Sequence, residues 1–346
     1  MAMPPAASAG GVYFELDEHM LDGGAGMVRS SAWAVVGAVI GAGFASGREV
    51  AAFFSRYGAW SWFAVSAAVA AIAWVSLGTM RSPGVPVPWR HRWPGRVWQG
   101  MFIALMATTG GAMLAGAGEI AALTLPLHGA YWMGMLSTLC LAWWLSERRL
   151  TGLALLSQIL TACLLVAMAM GLSLPRIRGV WVEDLPDWSQ LPSSLLHGLC
   201  YGGFNVALAS PVMDEMAEGL SSKQKRRCVA LVCLILGAVL SLGNAVLLRH
   251  PALLGAALPY VELLGMWGRW GMLLGALALY LAVLTTLVAC LRGLKKLLKR
   301  RWSLCLPIGV ALLGFAGAVD GLYPLLGGGC FLLLAAKALH KEPPPG

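Results

Sequence analysis

The stretch VGAVIGAGFASGREV, residues 36 to 50, begins as an apolar helix suited to hydrocarbon and then changes character. It contains four glycines and ends next to an Arg-Glu pair. Glycine inside a helix is destabilising by about 0.5–1 kcal/mol relative to alanine. Repeated glycines next to two charges therefore predict an interruption of the helix, near residues 41 to 45.

The composition of the whole chain predicts a membrane protein. Of its 346 residues, 58% are hydrophobic and only 12% are charged, whereas soluble globular chains carry about 25% charged residues. Uncharged apolar stretches of membrane-spanning length recur along the chain. Backbone groups in lipid must be paired within their own segment, so these stretches are expected to be helices. The predicted fold class is an all-α polytopic membrane protein.

About ten transmembrane helices are predicted from these apolar stretches. Their approximate bounds are 29–57, 59–80, 95–124, 129–146, 149–174, 191–217, 226–249, 264–294, 302–319 and 322–338. The net charge is +9, and most of the cations lie in connections on one side of this topology, as in cytoplasmic loops. The charge is therefore no indication of nucleic-acid binding. Both termini are expected in the cytoplasm.

A polar connection, residues 175–190, divides the predicted spans into two groups of five. An odd number of spans in each group gives the groups opposite orientations, which is the arrangement of an inverted repeat. The predicted repeats are residues 29–174 and 191–338, joined by an extracellular connection. Residues 1–28 are expected to form a disordered cytoplasmic tail, and residues 339–346 a second cytoplasmic tail.

A second glycine-containing stretch, YGGFN at residues 201 to 205, lies at the corresponding depth of the second group. Interrupted helices at corresponding positions of two halves indicate a transporter binding site. The candidate solute-binding residues are Gly41, Ala42, Gly43, Phe44, Ala45, Ser46, Tyr201, Gly202, Gly203, Phe204 and Asn205. Close helix packing by the glycines, and interhelical hydrogen bonds from Tyr201 and Asn205, are the alternative interpretations.

An interrupted helix leaves backbone groups free to bind a ligand. Carbonyls at the end of the first half-helix can coordinate a cation, and amides at the start of the second can hold a carboxylate. An amino acid or a similar zwitterion is therefore the expected solute. The sequence contains no H-E-x-x-H, G-x-S-x-G or Walker motif, so the protein is not expected to be an enzyme.

Ionisable residues inside membrane spans are candidates for a functional role. Arg48 and Glu49 follow the predicted interruption on its outer side, and Glu119 lies toward the same side in the third span. A pair or triad among them is predicted to form an extracellular gate. Proton carriage by Glu119 and a purely structural ion pair remain open alternatives.

Four motifs resemble the YkvI-like family of uncharacterised bacterial membrane proteins. They are VGAVIGAGFASGREVAAFFSRYG (36–58), MLAGAGE (113–119), YGGFNVALASPVMDEM (201–216) and LAVLTTLVACLRGL (281–294). The resemblance covers roughly residues 29 to 300. That family is placed in the amino acid–polyamine–organocation superfamily, so the resemblance implies the LeuT-type 5+5 inverted repeat, with helices 1 and 6 broken. It also implies secondary active transport and a location in the inner membrane of a bacterial cell.

The LeuT-type fold implies a sodium site between the first and eighth spans. Aligning the glycines of the broken helix puts two carbonyl ligands on Gly37 and Ile40 and two hydroxyl ligands on Thr285 and Thr286. The alternative is that these hydroxyls only bond the preceding turn of their own helix. Apart from this ion, no cofactor is expected.

The function predicted from the sequence is alternating-access transport of a small organic, amino-acid-like solute, with sodium as the coupling ion. The alternative is a ligand-sensing membrane receptor subunit that does not transport, similar to germinant receptors. The expected partners are the solute and membrane lipids. The sequence does not indicate an oligomeric state.

Overall fold

The computed structural model describes residues 24–81, 93–147, 166, 168, 171, 172, 187–298 and 305–339. Within these residues, every regular element is a helix. Most of the predicted span 149–174 and of the connection 175–190 lies outside them. The same holds for residues 1–23 of the predicted N-terminal tail and for residues 340–346.

Thirteen helices of the α type are numbered here within the described residues. They are α1 (Gly24–Val39), α2 (Ala42–Ser46), α3 (Arg48–Phe53), α4 (Ser61–Arg81), α5 (Trp93–Thr124), α6 (Ala130–Ser146), α7 (Leu191–Glu218), α8 (Ser222–Arg249), α9 (Pro259–Gly265), α10 (Arg269–Leu298), α11 (Cys305–Ala311), α12 (Gly314–Gly317) and α13 (Tyr323–Leu339). Short 3₁₀ segments at Ser55–Trp60, Trp188–Gln190 and Pro251–Gly255 connect some of them. The chain from Ala318 to Leu322 forms a π-helical turn.

Five helical stretches of the described residues are long and apolar enough to cross a membrane. They are Ser55–Arg81, Gly95–Thr124, Ser222–Arg249, Arg269–Leu298 and Gly314–Leu339. Large apolar side chains lie exposed on their outer faces, with Leu234 70% exposed and Leu325 71% exposed. Such surfaces suit lipid rather than water as the solvent. The protein is therefore an all-α membrane protein, while the count of ten spans stays a prediction.

The predicted break of the sixth span is wrong, because α7 runs without interruption from Leu191 to Glu218. All five residues of YGGFN lie inside this helix. The amide of Asn205 donates to the Tyr201 carbonyl at 3.0 Å, one turn earlier, so the side chain follows the helix rather than capping a broken end. Pro211 is also accommodated within α7.

The glycines of α7 serve close helix packing instead. This helix lies between α4 and α13 at the centre of the structure. A Cβ atom added at Gly202 would lie 2.6 Å from the Ala71 Cβ on α4, and one added at Gly203 would lie 2.4 Å from the Gly327 carbonyl oxygen on α13. Small residues let helix backbones approach this closely. The alternative interpretation of YGGFN, close helix packing by its glycines, is therefore the one that the structure supports.

The boundary between the predicted ninth and tenth spans also differs from the structure. The chain turns at Leu312 and Leu313, where Gly314 takes a positive φ of 76°. It then continues as one helical stretch from Gly314 to Leu339, through the π-helical turn. The predicted boundary near residues 320 and 321 is therefore wrong, because the polar Asp-Gly pair there lies within a helix.

Candidate functional site

The first span is interrupted between α1 and α2, as the glycines predict. Gly41 has extended backbone angles (φ −95°, ψ −169°), and its amide donates to the Val39 carbonyl at 2.9 Å. That amide would pair with the Gly37 carbonyl in a continuous α-helix. Within the described residues, no backbone amide donates to the carbonyl of Gly37 or of Ile40. Two carbonyl oxygens are thus left available at the negative, C-terminal end of the α1 dipole.

A second bend separates α2 from α3 at Gly47. This glycine has a φ of 84°, in the left-handed region, and a Cβ added there would lie 2.9 Å from the Tyr260 ring. The Ser46 hydroxyl stabilises the bend, since it donates to the Gly43 carbonyl at 2.6 Å and accepts from the Arg48 amide at 3.1 Å. The first span therefore consists of three helical pieces with different directions.

The candidate solute-binding residues lie on both sides of the Glu49 side chain. Residues 42 to 46 are all buried, and Glu49, which is only 5% exposed, places its carboxyl group directly over Gly43. The same carboxyl group interacts electrostatically with the hydroxyl of Tyr201 on α7. The Tyr201 ring packs against the rings of Phe53 and Phe54, with centroids at 5.3 and 4.9 Å. Glu49 thus connects the first predicted set with Tyr201, whereas Gly202 and Gly203 pack against α4 and α13.

Arg48 binds Asp320 and not the predicted acidic partners. The guanidinium Nε donates to Asp320 Oδ1 at 3.0 Å, and a second contact joins Nη2 to Oδ2. The Nη1 group also donates to the carbonyls of Leu254 and Ala256, at 3.1 and 3.0 Å. This guanidinium therefore ties α3 to the π-helical turn and to the chain that precedes α9.

The predicted grouping of Arg48 with Glu49 and Glu119 is wrong. Successive residues of a helix point about 100° apart, so neighbouring Arg48 and Glu49 face different surroundings. Glu119 is half-buried on α5, where it interacts electrostatically with Tyr131. None of the described hydrogen bonds joins these three side chains. A gating role for Arg48 stays a prediction, with Asp320 as its partner.

A cavity of about 310 Å³ lies beside the Arg48–Asp320 contact. Its lining includes Arg48, Arg56, Asp320, Ala52, Leu254 and Gly255. Two arginines and one aspartate give this cavity a positive balance of charge. It lies at the end of the first span that the topology predicts to be extracellular, and the predicted orientation would make it an outer vestibule.

The two predicted hydroxyl ligands have different surroundings. A Cβ added at Gly41 would lie 3.8 Å from Thr286 Oγ1, so Thr286 on α10 directly faces the interruption. The Thr285 hydroxyl donates instead to the carbonyls of Leu281 and Ala282, at 3.0 and 2.9 Å. The hydroxyl of Thr285 therefore bonds the preceding turn, as in the alternative interpretation, whereas Thr286 faces the interruption at Gly41.

Sequence reasoning missed three side chains of this region: Asp320, Tyr260 and Tyr323. Tyr260 packs edge-on against Phe44, with centroids at 6.3 Å, and Tyr323 stacks on Phe204 at 4.2 Å. A lone aspartate in the apolar stretch 305–339 is a signal that the sequence offers, because an ionisable residue in a membrane span is a candidate for a functional role. The two tyrosines have no such signal, because apolar helices commonly contain buried aromatic rings.

Comparison with known proteins agrees with the sequence motifs. No family model matches the chain. The chain is 25% identical, over 352 aligned residues, to the "Uncharacterized membrane protein YkvI" of Bacillus subtilis (strain 168). The alignment covers 92% of this chain and 97% of that protein. The resemblance to the YkvI-like membrane proteins is thereby confirmed.

Proposed function

We propose that this protein is a secondary active transporter, which moves a small, amino-acid-like organic solute by alternating access with sodium as the coupling ion. The observation that carries the proposal is the interrupted first span. Its two available carbonyls, on Gly37 and Ile40, lie at the end of α1, and Thr286 on α10 faces the adjoining Gly41. Non-helical backbone at membrane depth is tolerated where it is buried in protein or lines a cavity, and in transporters it forms the binding site.

The oxygen atoms around the interruption support sodium as the coupled ion. Gly37 and Ile40 offer carbonyl oxygens, and Thr286 offers a hydroxyl. Such hard oxygen ligands, without thiol or imidazole, suit an alkali cation. The dipole of α1 adds negative potential at the same end. The Thr285 side chain would have to rotate away from its own helix to become a fourth ligand. Its contribution to sodium binding is therefore the weakest of the four.

Alternating access requires a contact that closes one end of the pathway and that can open. The Arg48–Asp320 contact suits this role, because it joins the first span to the last described helical stretch beside the outer vestibule. Arg48 also bonds the carbonyls of Leu254 and Ala256, which fastens the chain between α8 and α9 to the same point. Release of the Arg48 guanidinium from all of these partners would free three elements together.

The solute-binding region is proposed on α2 and on the facing side chains of α7. Because α7 is uninterrupted, its residues contribute side chains rather than free backbone groups. Phe204 and Tyr201 offer aromatic faces, and the Asn205 amide is already bonded to its own helix. The backbone of residues 41 to 46 is therefore the main candidate for the polar ends of a zwitterion.

Uptake by purified protein in liposomes tests the transporter and its ion. A mixture of radiolabelled amino acids is supplied outside, with an inward sodium gradient or with potassium in its place. We expect accumulation only with sodium, and at least a tenfold loss of sodium affinity in Thr286→Ala, which removes one ligand. Thr124→Ala is the matched control, because the Thr124 hydroxyl only bonds the Ile120 carbonyl on its own helix.

The outcomes of this experiment separate the two functional classes. Solute accumulation that does not depend on sodium, or that is unchanged in Thr286→Ala, would contradict the proposed ion site. Ligand binding without flux under any gradient would contradict the transporter and favour the ligand-sensing receptor subunit.

A further inference from the structure

Glu49 is a buried acid that has no role in the proposed sodium-coupled transport. It lies in the first turn of α3 and is 5% exposed. A Cβ added at Gly43 would lie 1.7 Å from Glu49 Oε1 and 2.4 Å from its Cδ. The carboxyl group therefore fills the space that a side chain at position 43 would occupy, against the backbone of the interrupted span.

No cation neutralises this carboxyl group within the described residues. The neighbouring Arg48 is directed to Asp320 in the π-helical turn. The titratable groups that interact with Glu49 are Tyr201 on α7 and Tyr323 on α13. Among the described residues, the Glu49 carboxyl makes no hydrogen bond, and the buried hydroxyl of Tyr260 also has no hydrogen-bond partner.

An ionised carboxylate in such surroundings is unfavourable. Burial of a single unpaired charge costs several kcal/mol, and a carboxylate in that position binds a proton instead. A proton fits here because it adds almost no volume to a carboxyl group already in contact with Gly43. A larger cation would first have to displace the side chain.

We propose that Glu49 is a proton-binding site of the transport cycle. The carboxylate takes one proton from water while it is exposed, holds it as a carboxylic acid while the Arg48–Asp320 contact is closed, and returns it to water on the other side. Because Glu49 and Arg48 are adjacent on α3, one movement of this helix changes the surroundings of both. This proposal rests on the proposed transport function and adds a proton to the sodium ion as a coupled species.

Infrared spectroscopy of the protein in lipid nanodiscs tests the proton site without any substrate. At neutral pH, we expect the carbonyl-stretch band of a protonated carboxylic acid. Labelling all glutamates with ¹³C should shift this band in the wild-type protein, which assigns it to a glutamate. Glu49→Gln should remove the part of the band that shifts on labelling. The matched control is Glu215→Gln, since Glu215 is an exposed acid near the C-terminal end of α7.

Two results would overturn the proton site. One is the absence of a protonated-glutamate band at neutral pH, and the other is a band that survives in a folded Glu49→Gln protein. If Glu49→Gln fails to fold, Gly43→Ala replaces it, because the added Cβ displaces the carboxyl group. The glutamate band should then lose intensity or shift, and an unchanged band would contradict the proposal.

Uptake into liposomes tests the coupling role separately. With equal sodium on both sides and an acidic exterior, wild-type protein and Glu215→Gln should accumulate the radiolabelled amino-acid mixture, and Glu49→Gln should not. Sodium-driven uptake without any pH-driven component would overturn the coupling role of Glu49. No uptake by the wild type under either gradient would instead refute the proposed transport function, and the coupling role with it, while the infrared result would still decide the proton site.

Discussion

Arg48 and Asp320 lie near opposite ends of the sequence, yet their side chains form a two-point contact. The Arg48 side chain is 12% exposed and that of Asp320 is 36% exposed. The contact is therefore only partly screened by solvent, and the guanidinium depends on Asp320 for charge compensation. At this scale, the Arg48–Asp320 pair joins the first span to the last described helical stretch.

Asp320→Asn should lower the free energy of unfolding by about 1–3 kcal/mol, because it leaves a largely buried guanidinium without a counter-charge. The loss should lie toward the lower end of this range, since the bonds from Arg48 to Leu254 and Ala256 remain. Chemical denaturation in detergent micelles measures the change. Glu215→Gln, which removes an exposed acid, should stay within about 0.5 kcal/mol of wild type. Equal stability of both variants would show that the contact contributes nothing.

The partner of Arg48 could not be identified from the sequence alone. Local patterns place Asp320 and Gly321 in a turn between two spans, since both residue types favour turns. The structure instead holds Asp320 inside a π-helical turn, where the arginine of a distant helix binds it. Such a pairing is decided by tertiary packing, which acts over sequence distances that no local pattern records. A π-helical turn within an α-helical stretch is often found at a functional site.

At the scale of elements, α7 is the clearest case of a motif with two physical explanations. Glycines permit both a helix break and a close approach of two helices. The interruption at Gly41 was predicted correctly, and there the chain has extended angles. The similar stretch at Gly202 and Gly203 stays helical, because each of these glycines is in contact with a neighbouring helix. Residue type alone does not distinguish the two cases.

Gly203→Ala should therefore destabilise the fold by about 1–3 kcal/mol, the usual cost of overpacking. The added methyl group would lie 2.4 Å from the Gly327 carbonyl oxygen and 2.5 Å from the Phe331 Cβ. Gly237→Ala on α8 is the matched control, because its methyl group would meet Val69 at an ordinary 3.5 Å. That control should be neutral or more stable by up to about 1 kcal/mol, from helix propensity. Equal stability of the two variants would argue against tight packing at Gly203.

At the scale of the whole molecule, the distribution of cations determines the expected orientation. The first two turns of α8 contain Lys223, Lys225, Arg226 and Arg227, while the chain near Asp187 has few cations. Lys and Arg are concentrated in cytoplasmic loops. The N-terminal end of α8 should therefore face the cytoplasm, and Asp187 should face the outside.

Reporter fusions in a bacterial host measure this orientation. Alkaline phosphatase fused after Asp187 should be active, and a green fluorescent protein fused after Lys225 should fluoresce. Exchange of the two reporters provides the control, since each should then lose its signal. The opposite result would reverse the predicted orientation and would move the Arg48 vestibule to the cytoplasmic side.

The three-piece construction of the first span also has a consequence for membrane insertion. With 16 residues, α1 is about 24 Å long, which is shorter than the hydrocarbon core of about 30 Å. The following α4 has 21 residues and carries no charge before Arg81. We therefore expect the first two predicted spans to enter the bilayer together, as a helical hairpin whose insertion is driven by α4. The protein would then acquire its interrupted helix during biogenesis only after the next helix has been synthesised.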